Sequence, residues 1–392
     1  MDEQPHDCTR VVLKANDNVV TFADVEQQKF LRNAFASAHI NLLIGSGFSL
    51  DVVPTLEKRE AWFTAIDSTF NNPNGNFGDD NLYARRLLKA EYFHSVMEPL
   101  DTAEPTRGQI NAISSIMGLV RKRGAVTIPR RVNFFTTNYD PLLERALEVC
   151  SVPFNDGFDG REHPKLTTAS FSRLQYEQSL FMEYASQVPT ANVMKIHGSL
   201  TWNRADNGIE YSSPSRVLQS CLLGCGSITE LPEIRKIREM IKNEPDDNAI
   251  RDLLSCCASL TEDQKDALAT FEENYDSTLS IVNPTKKKFQ ETVLEQSYYD
   301  MLRIYANELD RNNALLVSFG FSFNDEQIRD LTLRAAKSNP KMLILASCYS
   351  MKDYNDFKAI FSGCDNVMFL TADKDNKLSL DNFSEGLRCL SR

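Results

Sequence analysis

The stretch INLLIGSGFS, residues 40–49, decides how the rest of the chain reads. Ile40, Leu42, Leu43 and Ile44 make a short apolar run without helical period, which predicts a buried strand. Gly45 and Gly47 then break it. Just before the run, Val25, Phe30, Leu31, Phe35 and Ala38 recur near helical spacing, so a helix is expected over 24–39. Similar apolar runs follow at 132–136, 193–196, 279–282, 315–319, 342–346 and 367–370. Helical patterns separate several of them. The clearest, 286–309, lines up Phe289, Val293, Leu294, Tyr298, Met301, Leu302 and Tyr305. Short apolar strands alternating with helices predict an α/β fold, a Rossmann-like doubly wound parallel sheet covered on both faces. Two mostly helical stretches, about 56–123 and 204–276, interrupt the alternation and read as insertions. The expected organisation is an N-terminal arm, 1–29, and one domain, 30–392, carrying both insertions.

Composition narrows the function classes. Of 392 residues, 42% are hydrophobic and 25% charged, which excludes a wholly disordered chain. No run approaches the ~18 apolar residues of a membrane span. The net charge of −11 makes a nucleic-acid backbone a poor partner. The opening MDEQPHDCTR has no basic and apolar signal pattern, so a cytoplasmic protein with reduced thiols is expected. The nine cysteines lack the paired spacing of a zinc ribbon, with Cys221 and Cys225 in a C-x3-C and Cys256 next to Cys257. No metal is expected.

In an open parallel sheet, ligands bind beyond the carboxyl ends of the strands. Five polar segments follow apolar runs: GSGFS (45–49), TNYD (137–140), HGS (197–199), NPT (283–285) and GFSFND (320–325). They are expected to converge on one rim. In GSGFS, Gly45 and Gly47 leave room for a pyrophosphate, or they only make a tight strand-to-helix turn. Leu50 stands where the dinucleotide fingerprint has its third glycine. Asn138 and Asp140, two residues apart, suit a ligand at a strand end, although Asp140 followed by Pro141 also suits a helix cap. His197 is the one histidine in a strand-glycine setting and is a candidate general base, with Gly198 giving room beside it. His39 reads as structural. Gly320 and Ser322 could donate to ribose or phosphate oxygens, while Asn324 and Gln327 fit a capping box for the next helix.

Taken in order, GSGFS, TTNYD, KIHGS and GFSFND resemble the motifs of the sirtuin (silent-information-regulator) NAD-binding domain. The likeness spans about 40–346. Protein deacylase sirtuins carry two zinc cysteine pairs and a G-I-P-D-F-R segment. Here the pairs are missing and only Val53-Pro54-Thr55 remains of the segment. The chain looks more like the bacterial sirtuin-like NAD hydrolases of antiphage defence, the type paired with a HerA-type ATPase translocase. That resemblance implies a homo-oligomer that cleaves NAD, as substrate, to nicotinamide and ADP-ribose. It implies Asn138 and His197 as catalytic residues. It implies Gly45, Ser46, Gly47, Phe48, Ser49, Thr137, Asp140, Gly320 and Ser322 as the NAD-binding set. An NAD-dependent deacylase, or a non-catalytic NAD or ADP-ribose sensor, are the alternatives.

Overall fold

The computed structural model describes residues 25–54, 57–70, 80–124, 127–181, 184–205, 208–281, 292–371 and 377–391. The expected arm therefore lies outside the described residues up to 24, and 25–29 belong to a helix. That helix, α1 (Val25–Ser37), leads into β1 (His39–Ile44). Then come α2 (Glu57–Phe70), α3 (Asp80–Tyr92), α4 (Arg107–Arg121), β2 (Arg131–Thr136) and α5 (Leu142–Val149). Short strands β3 (Phe154–Asn155), β4 (Phe158–Asp159), β5 (Lys165–Leu166), β6 (Tyr176–Gln178) and β7 (Ala185–Gln187) precede β8 (Thr190–Lys195). The next stretch holds β9 (Gly198–Ala205), β10 (Gly208–Tyr211), α6 (Pro214–Cys221), α7 (Pro232–Met240), α8 (Asp247–Ala258), α9 (Glu262–Thr278) and β11 (Leu279–Ile281). The last holds α10 (Thr292–Leu309), β12 (Ala314–Phe319), α11 (Glu326–Ser338), β13 (Leu343–Ser347), α12 (Met351–Ile360), β14 (Val367–Leu370) and α13 (Leu380–Ser391).

Seven strands form one sheet in the order β14-β13-β12-β1-β2-β8-β3. Every neighbouring pair is parallel. The chain builds outward from β1 through β2 and β8, then returns to lay β12, β13 and β14 on the other side. The order reverses between β1 and β12, which is the topological switch point of a doubly wound sheet. Burial on both faces explains the unbroken apolar runs: β8 and β12 are buried throughout. One helix group, α1, α4 and α13, packs together, and α10 packs on α11 and against β1 and β12. Helix α4 starts from a capping box, Thr106 with Gln109, and buries Ala112, Ile113, Ile116, Met117 and Val120 at helical spacing.

A polar ladder fixes the register inside the sheet. Asn41, Asn133 and Asn192 are paired across β1, β2 and β8. Nδ2 of Asn133 donates to Oδ1 of Asn41, and Nδ2 of Asn192 to Oδ1 of Asn133, both at 2.9 Å. A slip of one residue would leave buried amides unpaired.

One expectation changes. The run at 279–282 is not a strand of the parallel sheet: β11 pairs antiparallel with β9 in a second sheet, β11-β9-β10-β5-β4. The NPT segment lies outside the described residues. The two stretches read as insertions pack together. Trp62, Leu87, Phe93 and Met97 share one core with Val217, Ile234, Leu253, Phe271 and Tyr275, so both stretches build a single helical unit. Helix α4, inside the first expected insertion, belongs instead to the sheet core.

Among the described residues, no helix is long and apolar enough to cross a membrane, and no three His, Cys, Asp or Glu side chains cluster as a metal site. Cys221 and Cys225 are buried in the helical unit, and burial pushes the Cys221 thiol up to about 12.

Candidate active site

Register sets the rim. Ile44 on β1 is level with Thr136 on β2 and Phe319 on β12, and Thr136 is level with Lys195 on β8. The next residues of each strand therefore leave the sheet side by side. Ser46, Asn138 and His197 each stand two positions past that line. Adjacent strands are ~4.8 Å apart, so the sheet alone brings these segments together.

The glycine loop is held against the switch point. Gly45 N–H donates to Phe319 O and Gly47 N–H to Gly320 O, each at 3.0 Å. A Cβ on Gly45 would lie 2.3 Å from Gly320 O, and one on Gly47 2.6 Å from Gly320 Cα. The glycines are thus required by the facing backbone of Gly320, whose φ is +62°. Phe48 N–H and Ser49 N–H close a short 3-10 turn onto Gly45 O and Ser46 O. Ser46 is exposed, and among the described residues neither its N–H nor its hydroxyl has a partner. Of the predicted binding loop, Ser46 is the donor turned outward. Phe48 is buried in the sheet core and Ser49 is buried beneath the loop.

Asn138 braces this loop from the neighbouring strand. Its Nδ2 donates to Gly45 O at 3.0 Å and to Ser49 Oγ at 3.2 Å. Its backbone N–H donates to Thr136 Oγ1. With both amide hydrogens engaged, Oδ1 is the half-buried acceptor left for a hydroxyl or water. Thr137 is half-buried beside it. Asp140 is buried, and its Oδ1 accepts from Leu142 N–H at the start of α5. Asp140 thus holds the turn into α5, whose N-cap is Pro141.

Sequence reasoning passed over Lys195. It is 3% exposed, and Nζ donates to the carbonyls of Asn138 and Asp140 and pairs with Glu144 at 3.1 Å. This buried cation ties the TNYD turn to β8. A lysine inside the apolar run VMKI was the available signal. Burial raises the pKa of Glu144, and the Lys195 charge opposes that rise. Beyond the turn, Tyr139 bonds Tyr92 of α3 through their hydroxyls, so the helical unit reaches the rim here.

His197 is 15% exposed at its side chain. Its Nε2 lies 3.1 Å from Oδ2 of Asp325, and its ring is 5.9 Å from that of Tyr298 on α10. Tyr298 donates its hydroxyl to Oε1 of Gln327. Among the described residues, His197 Nδ1 has no partner. Gly198, next to it, is required by the facing backbone. It has φ +82°, and a Cβ there would meet Ser280 O at 1.9 Å, because β11 packs on β9 at this point.

The capping expectation for α11 also shifts by one residue. Asp325 is the N-cap, accepting from Ile328 N–H at 3.1 Å through Oδ1. Asn324 is exposed, and Gln327 serves Tyr298. Ser322 is exposed on the rim. Between them, Phe323 holds φ 56° and is buried against Phe321, Phe357 and Phe361. A bulky residue held in the left-handed region at the switch point marks a loop whose path is over-determined.

No known protein family and no curated protein matches this sequence. Among solved structures, one described as "The Structural basis for Sirtuin Substrate affinity" is similar at 12% identity, with a TM-score of 0.40. The likeness covers 91% of this chain and 95% of that one.

Proposed function

We propose that this chain is a sirtuin-like NAD hydrolase that releases nicotinamide and ADP-ribose. The observation that carries the reading is the placing of Asn138 and His197 past the ends of the adjacent strands β2 and β8, each with an acceptor atom that has no partner among the described residues. The ordered motifs of the sequence support NAD as the substrate. Ser46 and Ser322 are the outward donors for ribose or phosphate oxygens. The acidic start of α11, with Asp325 and Glu326, disfavours a pyrophosphate there, so the GSGFS side is the better place for it.

The chemistry follows from charge. The bond from the ribose C1′ to the pyridinium nitrogen breaks with its electron pair going to nitrogen, and neutral nicotinamide leaves. Positive charge develops on the ribose. Water adds to C1′ and gives its proton to His197, which passes it to solvent. Asn138 Oδ1 accepts from the ribose hydroxyl or the water and fixes its direction. Positioning of this kind and general base catalysis each lower the barrier by several kcal/mol.

The same reading takes in assembly and biology: a homo-oligomer in the cytoplasm, partnered by a HerA-type ATPase, depleting NAD in antiphage defence. Free NAD hydrolysis harms the cell that makes the enzyme, so a gate through the partner is part of the proposal. The β6–β7 hairpin supports an assembly role, since Leu180 and Phe181 at its tip are 92% and 93% exposed. The test is product analysis of the purified chain with NAD, with and without a HerA-type ATPase. ADP-ribose formed without an acyl-lysine peptide supports hydrolysis. Turnover only with the peptide would make it a deacylase, and tight binding without turnover a sensor.

A further inference from the structure

We infer that Asp325 is a positioning residue that selects the working tautomer of His197 and ties it to the start of α11. The inference rests on the proposed NAD cleavage for its activity readout, but its geometry stands alone. The Asp325 carboxylate is split between two tasks. Oδ1 caps α11 through Ile328 N–H at 3.1 Å, and Oδ2 faces His197 Nε2 at 3.1 Å. The side chains of both partners are largely buried, 15% exposed for His197 and 11% for Asp325.

A carboxylate only accepts, so the hydrogen of the neutral imidazole resides on Nε2. The lone pair is then on Nδ1, the nitrogen with no partner among the described residues. When a ribose hydroxyl or water gives its proton to Nδ1, the ring becomes an imidazolium with Asp325 already against its other N–H. The carboxylate keeps its charge throughout and takes no proton. The Tyr298 ring, tilted 35° to the imidazole, limits rotation of the ring away from this pose. The helix cap holds the carboxylate, and the carboxylate holds the imidazole. The rotamer of His197 is therefore set by an element on the other side of the switch point from β8.

The decisive variant is Asp325→Asn. Asparagine caps a helix start as well as aspartate does, so α11 keeps its cap. Its amide places a donor where Nε2 needs an acceptor, which drives the ring hydrogen to Nδ1. NAD turnover by the assembled protein should fall about 10²–10⁴-fold in kcat with little change in KM. In Asp325→Ala, added formate should restore part of the lost kcat. Selective ¹⁵N-histidine NMR, assigned with His197→Gln, gives a readout independent of activity. The wild type should show the Nε2-protonated tautomer and Asp325→Asn the Nδ1-protonated one. A folded Asp325→Asn protein with kcat within about threefold of wild type would overturn the role, taking that base-catalysis range as the yardstick. An Nδ1-protonated wild-type ring would overturn it as well. If the wild type cleaves no NAD, the functional reading fails, and the tautomer measurement still decides the pairing.

Discussion

Nδ2 of Asn138 donates to the carbonyl oxygen of Gly45 across 93 residues of sequence, at 3.0 Å. The candidate catalytic amide is therefore also the brace of the glycine loop. Replacing Asn138 with Ala removes the acceptor and frees the loop together. NAD cleavage should drop by about 10²-fold or more, with KM rising as Ser46 loses its setting. Asn138→Asp keeps the shape but sets a carboxylate against Gly45 O and should be equally inactive. Nicotinamide release checks both, and either variant working at wild-type rate would remove Asn138 from the site.

Gly198 gives a prediction about shape alone. A methyl group there meets Ser280 O, and φ +82° is strained for alanine. Gly198→Ala should cost at least about 1–3 kcal/mol in denaturant unfolding. It should also lower NAD turnover, since His197 precedes it directly. A variant as stable as the parent would show that β11 can yield without cost.

The sequence made some of this legible and hid the rest for physical reasons. Residues 40–44 and 315–319 announced themselves because both faces of β1 and β12 are buried, leaving no polar alternation. The run 279–282 has the same look but pairs antiparallel with β9, since three or four apolar residues do not encode a partner. Gly45, Gly47 and Gly198 signalled close approach without saying of what. It is backbone in each case: Gly320 for the first two, Ser280 for the third. Asn324 and Asp325 are equally good caps by residue type. The choice is settled by His197, 128 residues away, which no local pattern reports.

Lys195 carries the third prediction. Lys195→Met leaves the carbonyls of Asn138 and Asp140 and the carboxyl of Glu144 without their cation, and should cost about 3–5 kcal/mol near neutral pH. The double variant Lys195→Met, Glu144→Gln should recover part of this. The pH dependence has a definite sign. Burial raises the Glu144 pKa, and Lys195 is what restrains the rise. A raised carboxyl contributes stability below its unfolded value and loses it as pH climbs through the folded one. Lys195→Met should therefore come closest to the parent in acid and fall behind as pH rises above the ordinary glutamate range. A stability gap constant with pH would count against the pair.

The last prediction concerns the hairpin. Strands β6 and β7 are three residues each and, among the described residues, pair only with each other. A two-stranded ribbon is marginal by itself, and this one presents Leu180 and Phe181 almost fully to solvent. A surface so apolar at a tip so small is stabilised when another surface covers it, and the proposed homo-oligomer supplies a second copy as that cover. Leu180→Asp with Phe181→Asp should then lower the mass measured by light scattering toward that of the 44.4 kDa chain. The sheet core lies elsewhere, so the melting of the isolated chain should stay within a few degrees, as surface changes of about 0.5 kcal/mol allow. An unchanged mass in the double variant would assign the assembly to other surfaces. A single-chain mass in the parent would remove the homo-oligomer from the proposal.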